Sequence, residues 1–234
     1  MEHSDIAGQH ELDQGQIQPG GGRSFITKAP IKPQVEARAL IESNFCEKAT
    51  GPNIKDKVTK EFQEKGRVIK PERAIALFTD AKLRGSVTVV DLRSGDEAGD
   101  KARWNLRIPG AKSHPIPEKA ENMDDPRRLR AGMHPTLTDT DIKRNWAAQL
   151  GDQHSIWASV LEKPVVIFHC RQSANRTPGI ANNYLNYVAG TRNPAPQLVL
   201  ILDGGFDAYL TAVDDYLKVD KNKNNRPLIL EERP

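Results

Sequence analysis

The chain has 234 residues, of which 37% are hydrophobic and 28% charged, so it can bury a sizeable core and is not wholly disordered. Its 34 Lys and Arg residues nearly balance its 31 Asp and Glu residues, which gives a net charge of +3. This balance builds no dominant positive field, so we expect no nucleic-acid partner. Because no uncharged apolar run approaches the ~20 residues that cross a bilayer, we expect no membrane association.

Composition also bears on compartment and cofactors. The start of the chain, Met1 to Gly22, is polar and lacks the apolar core of a signal peptide, which predicts a cytoplasmic protein. Two cysteines, Cys46 and Cys170, are too few for a disulfide framework or a thiolate metal cage. We expect neither a metal nor an organic cofactor.

The first 66 residues are predicted to precede the main domain in two parts. Residues 1–30 form a flexible tail, because polar residues and glycines dominate and little apolar surface is available to offset the entropy of ordering. Residues 31–66 form a helical appendage, with one helix from Pro33 to Phe45 and another from Ile54 to Glu64.

From residue 67 to 218, strand and helix patterns alternate, which predicts an α/β domain with a mostly parallel central sheet. The continuous apolar strand runs are typical of strands buried on both faces. Predicted strands are Val68–Ile69, Val87–Val90, Val165–Phe168 and Leu198–Leu202, with a short extended piece that begins with Ile108–Ala111 and ends near Pro115. Predicted helices are Pro71–Thr79, Thr138–Leu150, Asp152–Glu162, Pro178–Val188 and Phe206–Lys218, and residues 219–234 are predicted as a C-terminal tail.

The loop from His169 to Thr177, between the strongest predicted strand and a helix, carries the chemistry. Cys170 faces the loop amides and the positive end of the following helix dipole, and Arg176 adds a full charge. These groups favour the thiolate, which is the nucleophilic form of a cysteine.

Seven residues from Cys170 to Arg176 are enough to wrap around one tetrahedral anion. The backbone amides of the loop would bind the oxyanion, and the Arg176 guanidinium would close the site with paired donors. Cys170 could then attack phosphorus, arsenic or sulfane sulfur. The residues predicted to line the anion are Arg171, Gln172, Ser173, Ala174 and Asn175.

Three neighbours are predicted to support the loop. His169 points to the opposite face of its strand and is expected to orient the loop through hydrogen bonds. Thr177 could donate to the thiolate or cap the helix. Asp91 is expected to form an ion pair with Arg93 rather than to act as the general acid. Because Asp96–Glu97 is expected to be solvated, the general acid stays unassigned.

The sequence His-Cys-x5-Arg-Thr resembles the signature of cysteine-dependent phosphatases. Two unrelated folds carry that signature, and other segments here resemble one of them, the rhodanese-like group. These segments are Val89–Arg93, Ile108–Ala111 followed by Pro115, and Leu202–Phe206 with Tyr209. The resemblance implies a three-layer rhodanese-like fold over residues 67–218, nearest to the M-phase inducer phosphatases and the rhodanese-type arsenate reductases.

The resemblance leaves three activities open. The seven-residue loop resembles the phosphatase and arsenate-reductase members, which implies a phosphorylated protein or a small tetrahedral oxyanion as substrate. Phosphatase chemistry through a phosphocysteine is the leading interpretation. An arsenate reductase would need an external thiol such as glutathione or glutaredoxin. Arg171 and the ending Asn175–Thr177 instead resemble sulfurtransferases, in which Cys170 would carry a persulfide.

Two features outside the loop have weaker interpretations. Cys46 could resolve an intermediate by forming a disulfide with Cys170, but an inert buried cysteine is the favoured interpretation. The basic residues Arg127, Arg128 and Arg130 are expected to belong to a solvated loop.

Overall fold

The computed structural model of the chain describes residues 32–50, 54–93, 105–115, 160–161, 163–174, 176–190 and 197–232. The strands are β1 (Cys46–Lys48), β2 (Arg67–Ile69), β3 (Val87–Asp91), β4 (Leu106–Arg107), β5 (Lys112–Ser113), β6 (Val165–His169), β7 (Leu198–Leu202) and β8 (Glu231–Glu232). The helices are α1 (Lys32–Phe45), α2 (Lys60–Lys65), α3 (Pro71–Thr79), α4 (Arg176–Gly190), α5 (Gly205–Leu217) and α6 (Arg226–Ile229). Short 3-10 turns lie at Lys55–Lys57, Arg84–Ser86 and Asp220–Asn225.

Six strands form one sheet in the order β1-β2-β7-β6-β3-β5. All neighbouring pairs in it are parallel except β1 with β2. Strands β4 and β8 form a separate antiparallel pair. Strand β6 lies between β7 and β3, and all five of its residues are buried, as its continuous apolar run predicts.

Side chains that alternate along the strands divide the core into two clusters, one on each face of the sheet. Ile167 and Leu200 belong to the cluster covered by α1, α3 and α5. Val166 and Val199 belong to the cluster covered by α2 and α4. Helices therefore cover both faces of a mostly parallel sheet. The predicted fold class, a three-layer α/β arrangement, is confirmed.

Described residues from both flanks of the predicted domain contribute to this core. Ile41 of α1 and Phe62 of α2 are fully buried, in opposite clusters. At the other end, Ile229 is fully buried, and its carbonyl accepts a hydrogen bond from Tyr209 Oη at 2.7 Å. The domain boundaries stay predictions, and the structure adds that residues of both flanking stretches are buried in the core.

Several elements differ from the sequence predictions. The extended piece predicted from Ile108 starts later, at β5, because Ile108–Ala111 is a turn between β4 and β5 in which Gly110 has φ of 68°. The helix predicted from Ile54 is interrupted: Thr59 caps α2 instead, its Oγ1 accepting from the Phe62 amide at 3.2 Å. Helix α4 begins at Arg176 rather than Pro178.

Several predictions fall outside the described residues: the tail over 1–30, the helix Thr138–Leu150 and most of the helix Asp152–Glu162. Among the helices that the structure does describe, none has the length and apolar character needed to span a membrane.

Candidate active site

The predicted loop lies at the point in the sheet where the connections from two neighbouring strands lead to opposite sides. From β3 the sheet continues to β5 on one side, and from β6 it continues to β7 on the other. Such a point has a crevice at the carboxyl ends of the two strands, the usual ligand site of open α/β sheets. Asp91 pairs with His169 across this boundary, and the Leu92 amide donates to the His169 carbonyl at 2.8 Å. Cys170 and Asp91–Arg93 therefore meet at the crevice.

The first carbonyls of the loop are held by the start of α5. The amide of Phe206 donates to the Cys170 carbonyl at 3.0 Å, and the amide of Asp207 donates to the Arg171 carbonyl at 2.9 Å. In a trans peptide the carbonyl and the following N–H point in opposite directions. The amides of Arg171 and Gln172 are therefore directed away from α5, and both can donate to an anion on that side of the loop.

Gly205 makes this contact possible. Its φ is +65°, and a Cβ at this position would lie 2.5 Å from the carbonyl oxygen of Arg171 and 2.7 Å from that of Cys170. Only glycine combines this conformation with so close an approach of two backbones. Gly204–Gly205 belongs to a segment that resembles the rhodanese-like group, but nothing in the local sequence indicates this contact with the cysteine loop.

Within the loop, the two principal candidates are buried. Cys170 is 3% exposed and Arg176 is 4% exposed. Arg176 opens α4, a 15-residue helix, so the positive end of that helix dipole lies at the loop. The Arg176 Nη1 donates to the Leu92 carbonyl at 3.4 Å. A buried guanidinium and a helix N-terminus together favour a bound anion beside Cys170.

Two hydroxyl groups of this segment are buried without a hydrogen-bond partner among the described residues, Ser173 Oγ and Thr177 Oγ1. Ser173 also has φ of 50°, a conformation that costs a non-glycine residue free energy. Buried unpaired hydroxyls are unfavourable, so both groups can gain by donating to a ligand.

The remaining loop positions differ in exposure. Gln172 is exposed and Ala174 is half-buried, whereas Asn175 lies outside the described residues. The Arg171 Nε lies 2.9 Å from Asp207 Oδ2, an ion pair that fastens the loop to α5. Nothing in the local sequence marks Asp207 as a partner of the loop, because the two segments are distant along the chain.

Asp91 forms the expected ion pair with Arg93. The Arg93 Nη2 lies 2.7 Å from Asp91 Oδ2, and the Arg93 backbone amide donates to Asp91 Oδ1 at 3.0 Å. Burial would raise the pKa of Asp91, but His169 and Arg93 outweigh it and lower that pKa to about 2. Asp91 is therefore ionised at neutral pH and holds no proton for a leaving group.

His169 lies on the face of the sheet opposite to Cys170, as its position in β6 predicts. Its ring stacks on Phe206 with centroids 5.7 Å apart. The His169 Nδ1 lies 3.8 Å from Asp91 Oδ1 and 3.4 Å from the Cys170 carbonyl oxygen. His169 is thus packed beneath the loop, where it can support the loop's orientation.

Cys46 lies too far away to pair with Cys170. It belongs to β1, which is separated from β6 by β2 and β7. Three steps of the usual strand spacing amount to about 14 Å, whereas a disulfide needs Cα atoms within about 7 Å. Burial, with Glu42 nearby, raises the pKa of the Cys46 thiol to about 12. The resolving-thiol interpretation fails for this fold.

Other candidates named from the sequence fall outside the described residues, namely Asp96–Glu97 and the arginines at 127, 128 and 130. Within the part of the chain that the structure describes, no three His, Cys, Asp or Glu side chains are grouped so that they could hold a metal ion.

Comparison with solved structures finds similar chains at low identity. An As-Sb reductase from Leishmania major is 21% identical, with a TM-score of 0.40, over 63% of this chain and 79% of its own. A yeast protein tyrosine phosphatase of the rhodanese family is 17% identical, with a TM-score of 0.43, over 71% of this chain and 92% of its own. No protein-family model matches the chain, and no curated protein matches its sequence. Similarities of this strength assign no activity to this chain.

Proposed function

We propose that this chain is a rhodanese-like thiol enzyme that hydrolyses phosphomonoesters through a phosphocysteine. One observation carries the proposal: Cys170 directly follows the buried strand β6 and opens a seven-residue loop that closes on the buried Arg176 at the start of α4. The amides of Arg171 and Gln172 are directed away from α5 because their carbonyl partners are bound to that helix. This arrangement brings a nucleophile and oxyanion donors together.

The reaction follows in two displacements. The Cys170 thiolate attacks phosphorus, so that an S–P bond forms as the ester P–O bond breaks, and the departing alkoxide or phenolate takes a proton from water. Water then attacks the same phosphorus, breaks the S–P bond and releases inorganic phosphate. Loop amides and the Arg176 guanidinium stabilise the charge that develops on the phosphoryl oxygens in both steps.

The contacts of Arg171 bear on the competing activities. Its resemblance to sulfurtransferases rests on its position after the cysteine, but its side chain pairs with Asp207 and fastens the loop to α5. That role serves any substrate, so Arg171 does not by itself favour sulfur transfer. The loop of seven residues favours a phosphorylated protein or a small oxyanion as substrate. Arsenate reduction would use the same attack by Cys170 followed by an external thiol such as glutathione or glutaredoxin.

The test is hydrolysis of p-nitrophenyl phosphate by the full chain, beside Cys170→Ser and Arg176→Lys. We expect turnover in the wild type, none in Cys170→Ser, and a large loss in Arg176→Lys, because lysine cannot bind an oxyanion with paired donors. Cys46→Ser is the matched control and should keep full turnover, since Cys46 lies three strands away. Absence of turnover in the wild type would overturn the phosphatase proposal, and thiosulfate-to-cyanide transfer and thiol-dependent arsenate reduction would then be measured.

A further inference from the structure

The carbonyl of Leu92 links the candidate site to the strand beside it. It accepts a hydrogen bond from Arg176 Nη1 at 3.4 Å, so it bears directly on where that guanidinium lies. Leu92 is itself held firmly: its amide donates to the His169 carbonyl at 2.8 Å, and its side chain is fully buried in the core. The direction of this carbonyl then depends on the peptide that joins Leu92 to Arg93.

Arg93 is fixed by contacts on several sides. Its backbone amide and its Nε both donate to Asp91 Oδ1 at 3.0 Å, and its Nη2 lies 2.7 Å from Asp91 Oδ2. The same Nη2 donates to the Leu106 carbonyl at 2.8 Å. Its guanidinium carbon also lies 3.6 Å from the centroid of the Phe206 ring, and Phe206 binds the Cys170 carbonyl through its own amide.

Through these contacts, the residues around Leu92 hold one another in place. The backbone amide of Arg93 shares its peptide plane with the Leu92 carbonyl, so the bond from that amide to Asp91 sets the direction of the carbonyl. A buried ion pair contributes little net stability because desolvation offsets the attraction between the charges. The Asp91–Arg93 pair therefore contributes geometry to the structure more than free energy.

We propose that Arg93 is a positioning residue for the oxyanion site, an inference that rests on the proposed function. Through its ion pair with Asp91, it directs the Leu92 carbonyl, and that carbonyl orients the Arg176 guanidinium toward the bound anion. Paired donation by a guanidinium tolerates little misplacement, and displacement of a positioned group by about 1 Å can cost ~100-fold in rate.

The informative variant is Arg93→Lys, which keeps a positive charge beside Asp91. A lysine cannot bind both carboxylate oxygens and the Leu106 carbonyl with the planar fork of an arginine. We expect kcat/KM for p-nitrophenyl phosphate to fall by about tenfold or more, with circular dichroism and the unfolding midpoint still showing a folded protein.

A second readout does not depend on turnover. Iodoacetate and iodoacetamide both alkylate Cys170 by losing iodide, but only iodoacetate carries an anionic group that Arg176 can attract. We expect the wild type to react faster with iodoacetate than with iodoacetamide, and Arg93→Lys to lose about tenfold of that preference. A merely structural role would change the amount of folded protein and leave the ratio of the two rates unchanged.

Arg67→Lys is the matched control. Arg67 also pairs with a carboxylate, Glu42, at 2.8 Å, and it donates to the carbonyls of Glu64 and Gly66. It lies on β2, two strands away from β6, so its replacement should leave both readouts at wild-type values. Asp91→Glu serves as the second variant if Arg93→Lys does not fold, because it shifts the same carboxylate by one methylene and should also lower the preference for iodoacetate.

The outcomes separate the two proposals. An active wild type with an Arg93→Lys variant that matches it in both readouts would overturn the positioning role and leave the phosphatase proposal standing. A wild type that neither hydrolyses the ester nor prefers iodoacetate would overturn the oxyanion site itself. An equal loss in Arg67→Lys would show a general effect of removing an arginine and would also reject the positioning role.

Discussion

At the scale of single residues, Asp91 shows how surroundings decide what a carboxylate can do. It ends β3 beside the candidate nucleophile's strand, a position from which an acid could serve the site. Burial favours its neutral form, but the contacts with His169 and Arg93 hold its pKa at about 2. A side chain that is ionised throughout the neutral range supports structure and does not transfer a proton.

This ion pair makes stability depend on acidity in a defined window. The folded pKa of Asp91 is depressed from 3.8, so its contribution is complete above the unfolded value and is lost as pH falls toward about 2. Protonation of Asp91 between pH 5 and pH 3 should lower the unfolding free energy of the wild type by about 1 kcal/mol. Asp91→Asn should be less stable than the wild type at pH 7, by about 3 kcal/mol, because Arg93 is left buried and unpaired.

Urea unfolding at pH 3, 4, 5 and 7 measures both effects. Asp91→Asn should show the smaller decline between pH 5 and pH 3, since it has no carboxylate to protonate at this position. Parallel declines in the two proteins would contradict the depressed pKa of Asp91.

At the scale of elements, the cysteine loop and the start of α5 satisfy each other's backbone groups. The first amides of a helix have no partner within the helix, and here two of them bind the carbonyls of Cys170 and Arg171. The loop gains a fixed direction for its next two amides, and the helix gains partners for its orphan donors. Gly205 is the position at which this exchange requires the absence of a side chain.

Three glycine-to-alanine replacements separate the effects of conformation and contact. In Gly205→Ala, the positive φ and a Cβ within 2.5 Å of the Arg171 oxygen should together cost about 3 kcal/mol or more and abolish turnover. In Gly110→Ala, φ is +68° but no atom lies within 4 Å of the added Cβ, so about 1 kcal/mol is expected. Gly85→Ala meets neither obstacle and should change stability by less than about 0.5 kcal/mol.

Chemical denaturation and the ester assay on the three variants provide the measurement. A Gly205→Ala protein with wild-type stability and turnover would show that the contact between α5 and the loop is dispensable. The order Gly205, Gly110, Gly85 in decreasing cost is the expected result.

At the scale of the whole molecule, the order of strands determines which residues can react together. Asp91 and His169 are far apart in sequence, yet they are paired because β3 and β6 are neighbours. Cys46 and Cys170 are held apart because two strands lie between β1 and β6. The same sheet therefore assembles the candidate site and isolates the second thiol from it.

We accordingly expect no intramolecular disulfide between the two cysteines when the folded protein is treated with hydrogen peroxide. Peptide mass spectrometry should detect the Cys46–Cys170 cross-link only after unfolding in urea, because only the unfolded chain brings the sulfur atoms together. In addition, the raised pKa of Cys46 should make its alkylation at pH 8 slow in the folded protein and fast in urea. A cross-link formed under native conditions would contradict the observed strand order.

The sequence by itself determined the class of fold and the location of the candidate site. Three apolar runs predict strands, because a strand that is buried on both faces has consecutive apolar residues. These runs are Val87–Val90, Val165–Phe168 and Leu198–Leu202. The spacing from Cys170 to Arg176 is likewise local, so the loop can be recognised without knowing its neighbours. Even the orientation of His169 follows from alternation along one strand.

Only the tertiary structure decided what surrounds that loop. The contact of Gly205 with the Arg171 carbonyl, the ion pair of Arg171 with Asp207 and the bond from Arg176 to Leu92 all join segments distant in sequence. The turn at Ile108–Ala111 and the burial of Ile41 also depend on partners elsewhere in the chain. The spacing of apolar residues within one strand or helix indicates which of its faces is buried. Which residues cover that face is determined by strand order and by packing between layers.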